Sequence, residues 1–143
     1  MKDKAVIFAW GRFFAQLHKA SRKFEVEHSE VAQRIQKWDQ VHSSILADTK
    51  LHPDDIAALN DPEHFGVIHG DLNLSNIHYV DEGDHLSVFD TDQVQRGFYM
   101  FDLAQAIVTL SMLEEGGMPI SGQPVEGASR QAFQDIMVSG YEA

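Results

Sequence analysis

Residues 77–89, IHYVDEGDHLSVF, hold two short β-type runs around DEGD, a turn signal that fixes which residues face one another. With Val80 opposite His85, Ile77 faces Val88 and Tyr79 faces Leu86, so one side of the hairpin is apolar throughout. A slip of one residue would mix the two faces, and the register is therefore well specified. The same pairing places Asn76 beside Phe89, and hence next to Asp90, at the open end of the hairpin. Two polar residues that lie 14 positions apart in sequence become neighbours.

Helical patterns surround this unit. Val6, Trp10, Phe13, Phe14, Leu17 and Phe24 recur at helical spacing and predict a helix from Lys4 to about Phe24. Ile7 and Phe8 widen its apolar stripe, which predicts contact with another chain or with an absent segment. Ser29 reads as the N-cap of a second helix carrying Val31, Ile35, Trp38, Val41 and Ile45 to about Ala47. HPDDIAALN reads as a short third helix opened by Pro53, and FGVI (65–68) as a strand. A further helix is expected from about Tyr99 to Glu114. EEGGMPISGQPVEG is a Gly/Pro loop, and the chain is helical again from Ala128. Trp10 and Trp38 are expected in the core. The fold class is α+β, mainly helical, and 143 residues suit a single domain, 1–143.

Charge narrows the partners. Eleven basic against 22 acidic residues leave a net charge of -11, which argues against nucleic acid or an anionic membrane. A small molecule or a protein is the expected partner. The absence of cysteine excludes disulfides and thiolate zinc sites. The longest apolar run, AVIFAW, is too short to span a bilayer, and a cytoplasmic protein is expected.

The polar residues before and after the hairpin carry the chemistry. Magnesium takes oxygen ligands, often one or two carboxylates completed by phosphates and water. Asn76 and Asp90 supply an amide oxygen and a carboxylate at adjacent strand ends. Asp71, five residues before Asn76 in HGDLNLSN, is placed to take a proton from a substrate hydroxyl near such a metal. His69 is expected to orient the loop. The remaining histidines, His18, His28, His42, His52, His64, His78 and His85, show no compact metal spacing and are expected at the surface or partly packed.

His-x-Asp, four residues, then Asn is also the spacing of the protein-kinase catalytic loop, with a second acid after the next hairpin. Gly70 replaces the usual Arg, and no Asp-Phe-Gly follows. HGDLNLSNI, VFDTDQVQRG and FDLAQAI, in that order, resemble the superfamily of aminoglycoside phosphotransferases, choline kinases and type II homoserine kinases. GRFFAQLHKAS is similar to the helix ending in Leu-His that precedes the site there. The resemblance implies the C-terminal lobe of a protein-kinase-like fold, with ATP as phosphoryl donor and magnesium as metal. It implies Asp71 as catalytic base with His69 beside it, and Asn76 and Asp90 as ligands of the metal and its nucleotide. Asp92 would assist through water, and Asp102 would hold the loop by hydrogen bonds. Asp92, Gln95 and Glu114 are candidates to face a small-molecule acceptor.

The sequence offers no Gly-rich loop ending in GK[ST], and its lysines ahead of the site lie in or beside helical segments. The N-terminal ATP-binding lobe is thus expected to be missing and the 143 residues inactive alone. A second reading is a non-catalytic module that forms homo-oligomers through the surface left by that lobe. A third is a metal-dependent phosphoesterase, which needs more His and Asp ligands than the sequence places.

Overall fold

The computed structural model describes residues 2–37, 61–80, 85–115 and 130–143. Helix α1 (Lys2–Glu27) presents Ile7, Trp10, Phe14 and His18 at three- and four-residue intervals, all buried. Trp10 stacks on Phe14 with ring centroids 6.2 Å apart, and Phe14 lies 5.8 Å from His18. Each large apolar side chain buried this way contributes roughly 1.5–3 kcal/mol. Trp10 is core, as expected. His18 is fully buried rather than at the surface, because its ring continues the aromatic ladder and meets polar partners beyond it.

The long C-terminal helix (Arg130–Glu142) packs on this face. A methyl placed on Gly11 would lie 2.0 Å from the Met137 carbonyl oxygen, and one on Gly140 would lie 2.1 Å from that of Phe8. The two backbones therefore touch where both sequences have glycine. Within the wide apolar stripe, Ile7 is buried in the core and Phe13 packs partly buried against it.

The second helix differs from expectation. Helix α2 spans only Ser29–Ala32, with His28 at the cap position and no side-chain cap bond, so Ser29 is its first residue rather than its N-cap. The chain then turns, because tertiary pairing overrides helical periodicity: Gln36 O accepts the Arg96 N–H at 2.9 Å, and Lys37 bridges Arg96 in parallel. Val31 is exposed. Trp38, Val41, Ile45, the segment HPDDIAALN, the turn DEGD and the Gly/Pro loop after Glu115 lie outside the described residues.

Among the described residues, four strands form two antiparallel pairs. β2 (Ile77–Val80) and β3 (His85–Val88) pair in the expected register, Ile77 with Val88, Tyr79 with Leu86 and Val80 with His85. β1 (Phe65–Ile68) pairs with β4 (Gln95–Phe98), a strand the sequence did not suggest. Its inward positions are Gln95 and Gly97, so burial there runs against hydrophobicity. Arg96 closes it onto α1 through paired bonds of 3.0 Å to both Glu25 oxygens. Helix α3 (Tyr99–Glu115) starts directly after β4 and buries Leu103, Ala106, Ile107 and Leu110, while the C-terminal helix, α4, completes the core with Phe133 and Met137. The mainly helical α+β expectation is borne out. Among the described residues, no helix is long and apolar enough to cross a membrane.

Candidate active site

The loop between β1 and β2 is pinned from three sides. Leu72 is fully buried in the core. Gly70 has φ +82°, and a methyl there would lie 2.3 Å from the Gln93 carbonyl oxygen, so only glycine fits. Asp102, fully buried in the first turn of α3, accepts the His69 N–H at 3.1 Å and the Gly70 N–H at 2.9 Å, one on each oxygen. His18 Nε2 lies 3.5 Å from Asp102, and its Nδ1 lies 3.1 Å from the Tyr141 hydroxyl on α4. Asp102 thus holds the loop by hydrogen bonds, as expected.

Between these anchors the loop presents Asp71. Its Oδ1 accepts from Asn73 Nδ2 at 3.0 Å and Gln105 Nε2 at 3.2 Å, and its Oδ2 accepts from Asn76 Nδ2 at 3.3 Å. Asn76 Nδ2 also donates to the Asp71 carbonyl at 2.8 Å, which leaves Asn76 Oδ1 to look elsewhere. Ser75 Oγ lies 3.3 Å from that oxygen but 2.5 Å from Asn73 Oδ1, and a hydroxyl has one hydrogen to give. Asn76 Oδ1 therefore keeps acceptor capacity. Asn73 also accepts the Ser75 N–H at 2.8 Å and caps the 3-10 turn Leu74–Asn76.

Asp90 arrives where the register sends it, with Phe89 N–H donating to the Asn76 carbonyl at 3.1 Å. It is exposed and has φ +65°, a left-handed conformation in which Asp and Asn are enriched. The neighbouring charge of Asp92 holds its carboxyl above the ordinary range. Desolvation, a hydrogen bond that the protonated Asp90 carboxyl donates to Asp92 and the charge of Asp71 add to this, while His69 opposes it. Carboxylates that repel one another gain from a cation. Among the described residues, no three His, Cys, Asp or Glu side chains gather closely enough to cage a metal. The residues that could hold a metal here are Asn76, through Oδ1, and Asp90, through its carboxylate, oxygen donors of the type magnesium takes when phosphate and water complete its shell.

The other candidates divide. His69 is buried, and neither ring nitrogen has a hydrogen-bond partner among the described residues, so it ties down the loop through its backbone N–H. Asp92 is exposed beside Asp90. Gln95 is buried against Gly70 and cannot face an acceptor in solution. The Glu114 side chain lies outside the described residues. Asn73 and Gln105 both bond Asp71 and were not anticipated. The available signal for Gln105 was its position three residues after Asp102, on the same helix face.

In its fold the chain is similar to the amicoumacin kinase hAmiN, solved in complex with AMP-PNP, Ca2+ and Ami, with a TM-score of 0.68 at 16% identity. The match covers 97% of this chain and 43% of that one, so this chain spans less than half of that kinase's length. No curated protein matches the chain. The model of the phosphotransferase enzyme family matches residues 2–136, across α1, the loop, the hairpin and α3, and the chain belongs to that family.

Proposed function

We propose that this chain is the catalytic lobe of a small-molecule kinase, which moves the γ-phosphate of ATP to a hydroxyl of a small acceptor. The observation that carries this reading is the direct bonding of Asp71 to Asn76, with Asp90 delivered beside Asn76 by the hairpin. In it, Asp71 takes the proton of the acceptor hydroxyl as that oxygen bonds to the γ-phosphorus and ADP departs. Asn76 Oδ1 and Asp90 would hold magnesium, which would neutralise charge on the phosphates. His69 and Asp102 keep the loop in place, and Asp92 orders water around Asp90. Asp71 and its neighbours act by positioning and charge rather than by covalent chemistry.

The similar kinase was solved with a nucleotide analogue and a divalent cation, which supports both partners here. Because the chain spans 43% of that kinase, we assign nucleotide cover to residues outside these 143 and turnover to the complete protein. The net charge of -11 favours a cationic acceptor, such as an amino alcohol or aminoglycoside, and we assign the protein to the cytoplasm on its lack of cysteine. ADP release by the complete protein, measured with Mg·ATP across a panel of such hydroxyl compounds, tests the reading. Acceptor-dependent ADP with a matching phosphorylated product is expected. Release that ignores every acceptor would overturn it.

A further inference from the structure

Gln105 stands on α3 three residues after Asp102, so one helix face addresses the loop twice: Asp102 grips its backbone and Gln105 grips its carboxylate. The Gln105 Nε2 donates to Asp71 Oδ1 at 3.2 Å, while its own Oε1 is buried with no partner among the described residues. Turning the amide over would set Oε1 against the Asp71 carboxylate, acceptor against acceptor. Among the described residues the amide is therefore held through its donor alone, an orientation that packing by itself does not require.

The donors around Asp71 are unevenly shared. Oδ1 receives two, from Asn73 and Gln105, which fill the lone pairs in its plane. Oδ2 receives one long contact of 3.3 Å, from an Asn76 amide whose shorter bond of 2.8 Å goes to the Asp71 carbonyl. We infer that Gln105 is a positioning residue that locks the Asp71 carboxylate and leaves Oδ2 as the oxygen that takes the acceptor proton. This rests on Asp71 as the base of the proposed transfer. The acceptor's O–H bond breaks toward Oδ2 as its oxygen bonds to the transferred phosphorus, and the electron pair of the broken P–O bond leaves with ADP.

Gln105→Met keeps the length of the side chain and removes both the donor and the stranded oxygen. In the complete protein it should lower kcat about tenfold, equivalent to ~1.4 kcal/mol, with KM for ATP and acceptor unchanged. The unfolding temperature should stay close to wild type, since the Asp71 carboxylate keeps its Asn73 and Asn76 donors. In an Asp71→Asn background the same change should cost nothing further, because Gln105 acts only through Asp71. A Gln105→Met protein with wild-type kcat, or one that loses kcat in proportion to lost stability, overturns the inference. If Asp71→Asn itself keeps full activity, the reading of Asp71 fails, and the inference fails with it. If Asp71→Asn is inactive while Gln105→Met is not, only the inference falls. A readout independent of turnover is the Gln105 side-chain amide in NMR spectra of the 143-residue chain. Its protons should exchange slowly with water and lose that protection in Asp71→Ala; unchanged exchange counts against the bond.

Discussion

Asp102 Oδ1 accepts the backbone N–H of Gly70 at 2.9 Å across 32 residues of chain. With the His69 N–H on its other oxygen, this fully buried carboxylate sets where the residue after Gly70, Asp71, can stand. A helix start is a favourable place for such a charge, since the N-terminal end of the dipole offsets part of its desolvation.

Removing that carboxylate should be costly. Asp102→Ala leaves two backbone donors and His18 without their shared acceptor in a dry site, at about 1–3 kcal/mol per stranded group. Urea unfolding should show a loss of about 3 kcal/mol or more. A loss below about 0.5 kcal/mol would mean that water replaces Asp102.

Gly70 should tolerate no side chain. Gly70→Ala meets both a left-handed backbone, costing about 1–2 kcal/mol, and the Gln93 carbonyl 2.3 Å from the new methyl. The loop must shift to relieve it, so a destabilised protein with altered amide shifts at Asp71 is expected by NMR.

The α1–α4 contact makes a similar claim far from the site. Gly11→Ala drives a methyl into the Met137 carbonyl, and Gly140→Ala does the reverse at Phe8, so each should cost about 1–3 kcal/mol by forcing the helices apart. Because the two changes strain one interface, the double variant should lose less than the sum of the two. Strict additivity in denaturant titrations would place the glycines in separate contacts.

The hairpin and what it brings together were legible because alternation and a turn signal pointed to one register, and Asp90 follows from that register alone. β4 was not legible: Gln95 and Gly97 face inward and Arg96 is secured by Glu25 on α1, contacts that no local pattern announces. The second helix ends sooner than its period predicts for the same reason, since Ile35 keeps the helical period while Gln36 and Lys37 are drawn to Arg96. His18 gave no sign of burial, because its partners Asp102 and Tyr141 lie 84 and 123 residues away. Gln105 looked like any polar helix residue until the loop was laid against it.

Asp90 carries a pH signature with a definite sign. Asp92 first, then desolvation and Asp71, hold its carboxyl above the ordinary range. The associated repulsion is absent below the ordinary carboxyl range, grows as pH rises, and is complete once pH has passed Asp90's raised value. Magnesium should act in the opposite direction by favouring the ionised form. The carboxyl-carbon titration of Asp90 should move to lower pH with magnesium, and Asp92→Asn should move it the same way without metal. A titration indifferent to magnesium would remove Asp90 from the ligand set.

The central claim is that Asp71 takes the proton in a phosphoryl transfer. The most direct measurement is steady-state transfer of the ATP γ-phosphate to an acceptor hydroxyl by the complete protein and its Asp71→Asn variant. Turnover should fall by about 10²-fold or more while affinity for Mg·ATP stays within about twofold. An Asp71→Asn protein that turns over at the wild-type rate would contradict the assignment.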